Sequence, residues 1–262
     1  MRRLSPRTVT LALLSAMLLI FTSVSHASSP ALSIITPRNV QRGVENTITF
    51  NGARLADAEE ILFYSPGFEV VELTPEAGKA TAKVNIAADC RLGEHVAHVR
   101  CKSGLTEFRT FWVGPFPAAA EVEPNSSFEA PQKIELNTTV HGVVTNEDVD
   151  YYAVELKAGQ RISAEIEAMR LGTTLFDPYI AIIDAKRFEL SADDDTPLTK
   201  QDAVASAVAK EDGTYYVMVR ESSYAGNGNC RYNLHVGTCL LYTSPSPRDQ
   251  RGSGLAGCGW KK

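Results

Sequence analysis

The sequence predicts an all-β protein made of two tandem β-sandwich modules behind an export signal. Three observations carry this reading. Short runs rich in Val, Ile, Thr, Tyr and Phe recur at roughly 10-residue spacing. Gly, Pro, Asn and Asp fall between those runs, where turns need them. Outside the N-terminus, no stretch has a convincing apolar period of 3.6 residues, the mark of an amphipathic helix.

At the N-terminus, Arg2, Arg3 and Arg7 precede an apolar run over residues 9–21 that only Thr10 and Ser15 interrupt. Ser25 and Ala27 supply the small residues a signal peptidase reads, so residues 1–27 are expected to be a signal peptide cleaved after Ala27. The run falls short of the roughly 20 residues a bilayer span requires. No other stretch is apolar enough, so no membrane span is expected after cleavage.

Residues 30–114 form the first predicted module. Apolar runs at 32–35, 47–50, 60–64, 68–71, 80–86, 95–100 and 108–113 alternate with turn residues such as Pro37, Gly43, Asn51 with Gly52, and Gly104. Short strands at this spacing suit a sandwich. The opening Ile35, Thr36 and Pro37, the central run from Gly43 to Gly52 and the closing strand resemble the IPT/TIG immunoglobulin-like family. That likeness implies an Ig-like sandwich.

Residues 115–120, rich in Pro and Ala, read as a short linker that holds two modules close together. The second module spans 121–238. It carries an E-x-E-x-N opening at Glu121, a D-x-D-Y-Y strand at Asp148, an A-G-Q strand start at Ala158 and a D-G-T-Y-Y strand at Asp212. In that order the motifs resemble the bacterial pre-peptidase C-terminal domain, a jelly-roll-like sandwich appended to many secreted proteases and collagenases.

The last residues change character. From Cys239 to Asp249 the chain corresponds codon by codon to an adapter used in transposase-based library preparation, so residues 239–262 are expected to be non-biological, with the native chain continuing differently after about Thr238. The overall charge of −5 includes +3 from the signal and +3 from this tail, which leaves −11 on residues 28–238. Nucleic acid and anionic membranes are therefore poor partners. Cys90, Cys101 and Cys230 remain in the body of the chain. Export permits disulfides, and Cys90 with Cys101 could close a short loop; buried free thiols are the alternative.

The residues argue against an active site. The E-H-x-x-H order at Glu94, His95 and His98 reverses the zincin motif, and histidines three apart in a strand face opposite ways. No histidine adjoins a G-x-S-x-G elbow or a nucleophilic cysteine. Cation binding has better support. Glu121, Glu123 and Asn125 alternate along an extended opening segment, and Glu147, Asp148 and Asp150 precede a strand that could lie beside it. Hard oxygens of this kind suit Ca²⁺. The pre-peptidase resemblance also implies calcium at Glu121, Glu123, Asn125, Asp148 and Asp150, with Glu147 at the margin, although Ser126 stands where such sites often carry Asp or Asn. A second acidic group, Asp193 to Asp195 with Asp202, reads as an exposed loop or another cation site. Outward members of Tyr151, Tyr152, Tyr215, Tyr216 and Tyr224 could stack on sugar or peptide.

The expected function is a non-catalytic, secreted, periplasmic or cell-surface module. It would bind extracellular carbohydrate or protein, or space the domains of a longer protein. The alternative is a pair of accessory domains from a secreted peptidase or other hydrolase.

Overall fold

The structure, a computed structural model, describes residues 29–196, 199 and 201–239. The expected signal peptide, and the expected non-biological tail beyond Cys239, lie outside the described residues. No described helix is long and apolar enough to cross a membrane.

The chain is all-β. The first module contains β1 (Ala31–Thr36), β2 (Asn39–Gln41), β3 (Glu45–Ala53), β4 (Ala58–Phe63), β5 (Phe68–Pro75), β6 (Lys79–Ile86), β7 (Gly93–Cys101), β8 (Gly104–Leu105) and β9 (Arg109–Gly114). One sheet runs β1-β3-β6-β5 and the other β2-β9-β7-β4, with β8 added to β7. Alternation builds the core between them. Ala80, Ala82, Val84 and Ile86 of β6 point inward, against Ala97 and Val99 of β7 and Phe111 and Val113 of β9. All seven predicted runs are strands; β2 was too short to show a period.

The expected Cys90–Cys101 disulfide is not formed. Cys90 precedes β7 and Cys101 ends it, so the nine extended residues of that strand hold the thiols at opposite ends of the module. At roughly 3.3 Å per residue the gap far exceeds the ~6 Å between Cα atoms of a disulfide. Cys90, Cys101 and Cys230 are buried free thiols.

The second module contains β10 (Ala118–Ala120), β11 (Gln132–Lys133), β12 (Thr138–Val143), β13 (Val149–Leu156), β14 (Arg161–Glu167), β15 (Pro178–Ile183), β16 (Glu189–Asp193), β17 (Val204–Val208), β18 (Gly213–Glu221) and β19 (Arg231–Gly237), with a 3-10 turn at Met169–Leu171. Two five-stranded sheets, β10-β12-β19-β14-β17 and β11-β13-β18-β15-β16, enclose a core that includes Tyr152, Ile162, Ile180 and Leu234. Part of the expected linker is therefore sheet: β10 pairs in parallel with β12.

β14 is buried on both faces. Ile162, Ala164 and Ile166 enter the core, whereas Ser163, Glu165 and Glu167 face the other way yet stay covered. The cover over Glu167 comes from the first module, whose Asn39, Trp112 and Gly114 share a small crevice with Glu167 and His235. Some polar groups at this seam pair with one another: Asn233 Nδ2 donates to Glu167 at 2.9 Å, and Thr139 and His235 bond at 2.8 Å, whereas Asn39 Oδ1 is buried without a partner.

Candidate metal centre

The opening segment 121–125 is not a strand, so its side chains converge by turning rather than by alternation. Two backbone bonds seat it. Glu121 N donates to His141 O at 2.9 Å, continuing the β10–β12 pairing, and Tyr151 N donates to Asn125 O at 3.0 Å. Glu121, Glu123 and Asp150 thereby each bring a carboxylate oxygen within 4.8 Å of the others.

Donors from the chain satisfy only part of this group. Val143 N donates to Glu121 Oε2 at 2.9 Å. Glu121 Oε1 accepts from the Tyr152 hydroxyl at 3.0 Å, the Tyr232 hydroxyl at 3.1 Å and Asn125 Nδ2 at 3.3 Å. The single Tyr232 hydroxyl proton is shared between Glu121 and Asp150 Oδ2, which lies 2.6 Å away, and the two tyrosine hydroxyls touch. Two buried oxygens, Asn125 Oδ1 and Asp150 Oδ1, have no partner. Asn125 and Asp150 are both fully buried, so each such oxygen carries an uncompensated desolvation cost. Burial, then the Glu121 carboxylate and more weakly Asp148, push Asp150 up to about 9. Both tyrosine hydroxyls are pushed up as well, chiefly by burial.

An oxygen-seeking dication fits this arrangement. It would neutralise the carboxylates and occupy the two unpartnered oxygens, and Ca²⁺ accepts irregular shells of six to eight oxygens. The hydroxyls of Tyr152 and Tyr232 close the inner side. Gly142 makes that wall possible, because a Cβ there would lie 2.2 Å from Tyr232 Cζ. Spacing alone could have picked Tyr152, two residues after Asp150 and so on its face. Tyr232 could not be found this way, since it reaches the site only through its register opposite Gly142.

Two expected ligands fall elsewhere. Asp148 is outside the converging group. Its Oδ1 accepts from Ser126 Oγ at 2.9 Å and its Oδ2 from Thr145 N and Oγ1, both at 3.2 Å, so it braces a turn. Ser126 is thus the partner of Asp148 rather than a weakened ligand. Glu147 is exposed, in the left-handed region at φ 60°, and also outside the group. Among the described residues the second acidic group forms no converging ligand set: Asp202 is buried and bound to Arg170 and to three backbone amides. His95 binds Arg91 O and His98 binds Thr106 O, both at 2.7 Å, and neither joins a metal group among the described residues.

Of the tyrosines, Tyr152 and Tyr215 are buried, and Tyr224 is exposed. Tyr151, Tyr179 and Tyr216 lie half-buried on the outer face of the β13-β18-β15 sheet, where Phe128 packs on Tyr216 at 4.1 Å. Arg220 sits 4.0 Å from the Tyr179 ring centroid and 4.6 Å from that of Tyr224.

Residues 148–221 match the family model of the bacterial pre-peptidase C-terminal domain. The match includes Asp148 and Asp150 and begins after the opening segment. The pre-peptidase C-terminal domain of collagenase from Bacillus anthracis is 18% identical, covering 46% of this chain and 96% of that one at a TM-score of 0.31. PliG of Aeromonas hydrophila, a periplasmic inhibitor of g-type lysozyme, is 14% identical over 40% of this chain and 95% of its own, with a TM-score of 0.32. SGBP-B of the Bacteroides ovatus mixed-linkage glucan utilization locus, solved with a heptasaccharide, is 10% identical over 79% and 72%, at 0.25. No curated protein matches the chain significantly.

Proposed function

We propose that this chain is an exported, non-catalytic binding module whose second sandwich is clamped by Ca²⁺ through Glu121, Glu123, Asn125 and Asp150. The observation that carries the clamp is the unpartnered, buried Asp150 Oδ1 in the converging carboxylates of Glu121, Glu123 and Asp150, with a second buried unpartnered oxygen on Asn125, whose amide nitrogen contacts Glu121. The ion would tie the opening segment to β13 and hold the start of the module against its sheet. The match over residues 148–221 supports a non-catalytic accessory role, because the pre-peptidase C-terminal domain is such a domain.

The partner in this reading is an extracellular polysaccharide or protein. Its contact surface is the outer face bearing Tyr151, Tyr179 and Tyr216, whose rings offer stacking area at low entropic cost. The same family match also favours a second reading, accessory domains of a secreted peptidase or other hydrolase. The coding sequence that follows Thr238 in the source genome separates the two.

Thermal unfolding of the full chain in millimolar Ca²⁺ and in chelator tests the clamp. A ligand present at about 100 times its Kd stabilises by roughly 2.7 kcal/mol, a rise of several degrees for a domain of this size. Asp150→Asn keeps the side-chain shape, removes one ligand charge and should abolish most of that rise. Identical melting of the unaltered protein in calcium and in chelator refutes the clamp.

A further inference from the structure

The two modules meet at a cleft of ≈390 Å³ lined by Arg38, Arg109 and Arg231 together with Ser33, Thr173 and Asn229. No acidic side chain lines it, and none of the three arginines forms an ion pair among the described residues. In a body of net charge −11 this is a local reversal of sign.

Each arginine is held differently. Arg38 is buried at the floor, with Nη1 donating to Thr110 O at 2.7 Å and Nη2 to Leu171 O at 2.6 Å, across the seam. The Trp112 ring lies 5.3 Å away, and Arg38 Nε has no acceptor. Arg109 donates Nε to Ser33 O and Nη1 to Phe108 O, both at 2.8 Å, which leaves Nη2 available. Arg231 makes no side-chain hydrogen bond among the described residues. Thr173 Oγ1 is buried without a partner. Burial pushes Arg38 down to about 10; Glu167 and Glu94 oppose the fall, and Arg231 and Arg109 add to it. Arg38 therefore stays charged at neutral pH, and an anion in the cleft would relieve its repulsion with Arg109 and Arg231.

We infer that this inter-module cleft binds an acidic sugar, a short uronate oligosaccharide whose carboxylate is held by Arg109 and Arg231. With no side-chain hydrogen bond among the described residues, Arg231 can match a carboxylate bidentately, and Arg109 Nη2 adds one further donor. Ser33, Thr173 and Asn229 supply hydroxyl and amide groups suited to sugar hydroxyls. A peptide added as a strand fits less well. The β1 edge beside the cleft is irregular between Leu32 and Ile34, and Arg109 already occupies the Ser33 carbonyl. The sugar assignment rests on the polysaccharide reading above; the charge assignment rests on the arginines alone.

Titration calorimetry of the full chain with trigalacturonate, the neutral trisaccharide cellotriose, free sulfate and a short Glu-rich peptide tests it. Trigalacturonate should bind, weaken with added salt, and lose about tenfold in affinity in each of Arg109→Gln and Arg231→Gln. Cellotriose binding as well as trigalacturonate, with no effect of either variant, overturns the cleft and leaves the polysaccharide reading standing. Sulfate or the peptide binding as tightly as trigalacturonate overturns the sugar assignment. If neither saccharide binds, this inference fails, while the polysaccharide reading, which rests on the tyrosine face, is judged by that face. Arg38 is left unaltered because it also joins the modules, and unchanged melting of the two variants confirms that any loss reflects the cleft.

Discussion

Two acidic groups in the second module look alike in the sequence and differ in kind once folded. Around Asp202, the chain provides its own cations and donors: Ala168 N at 3.0 Å, Met169 N at 2.7 Å, Arg170 N at 3.3 Å and the Arg170 guanidinium. Asp193 accepts from Val204 N at 3.2 Å and from Thr196. Around Asp150, hydroxyls and three amide N–H donors satisfy part of the cluster, and two buried oxygens are left over. A count of carboxylates therefore says little about a cation site. What distinguishes a ligand set from a structural brace is how many acceptors the chain's own donors leave unfilled.

Removing the brace should give the largest effect. Asp202→Ala leaves Arg170 to Glu165 and the Ile166 carbonyl but takes the acceptor from three backbone amides, at a cost of about 2–4 kcal/mol in denaturant unfolding. The loss should be the same in calcium and in chelator. A calcium-dependent loss would show that Asp202 is a ligand and break the contrast.

A smaller effect concerns pH. In calcium-free protein Asp150 is pushed up to about 9, against 3.8 for a free side chain. The folded state then holds a proton that the unfolded chain gives up, so the associated stability is complete below about pH 4 and is lost as pH rises through about 9. Bound calcium displaces that proton, so the stabilisation by calcium should grow between about pH 5 and pH 8. Melting curves at a series of pH values, with and without chelator, measure the difference; a constant calcium shift across that range would remove Asp150 from the site.

The smallest effect sharpens the boundary of the cluster. Glu147→Ala should change stability by no more than about 0.5 kcal/mol and leave the calcium response intact, because the side chain is exposed and outside the converging group. A lost calcium response would restore Glu147 as a ligand.

The sandwich architecture was legible because it rests on local rules. Alternation in β6 and β7 places every second residue in the core, and Gly, Pro and Asn mark the turns. Legibility ended where signals were short or non-local. β2 and β10 are three residues each, too brief for a period, and are strands only because β9 and β12 offer parallel partners. Of the six expected ligands, residue type and neighbourhood placed Glu121, Glu123, Asn125 and Asp150 together, although by a turn where alternation was expected. Asp148 and Glu147 carried the same chemistry at nearly the same positions, and only their partners set them apart.

By itself, the sequence determined the all-β class and the two-module layout, because side-chain alternation and turn chemistry act over a few residues. Register and burial decided the rest. Tyr232 meets Glu121 across more than a hundred residues because it lies opposite a glycine. Cys90 and Cys101 stay apart because a full extended strand separates them. Three arginines from distant segments share a cleft only because one module packs on the other. Each depends on free-energy terms, desolvation above all, that exist only once the chain has closed around the groups concerned.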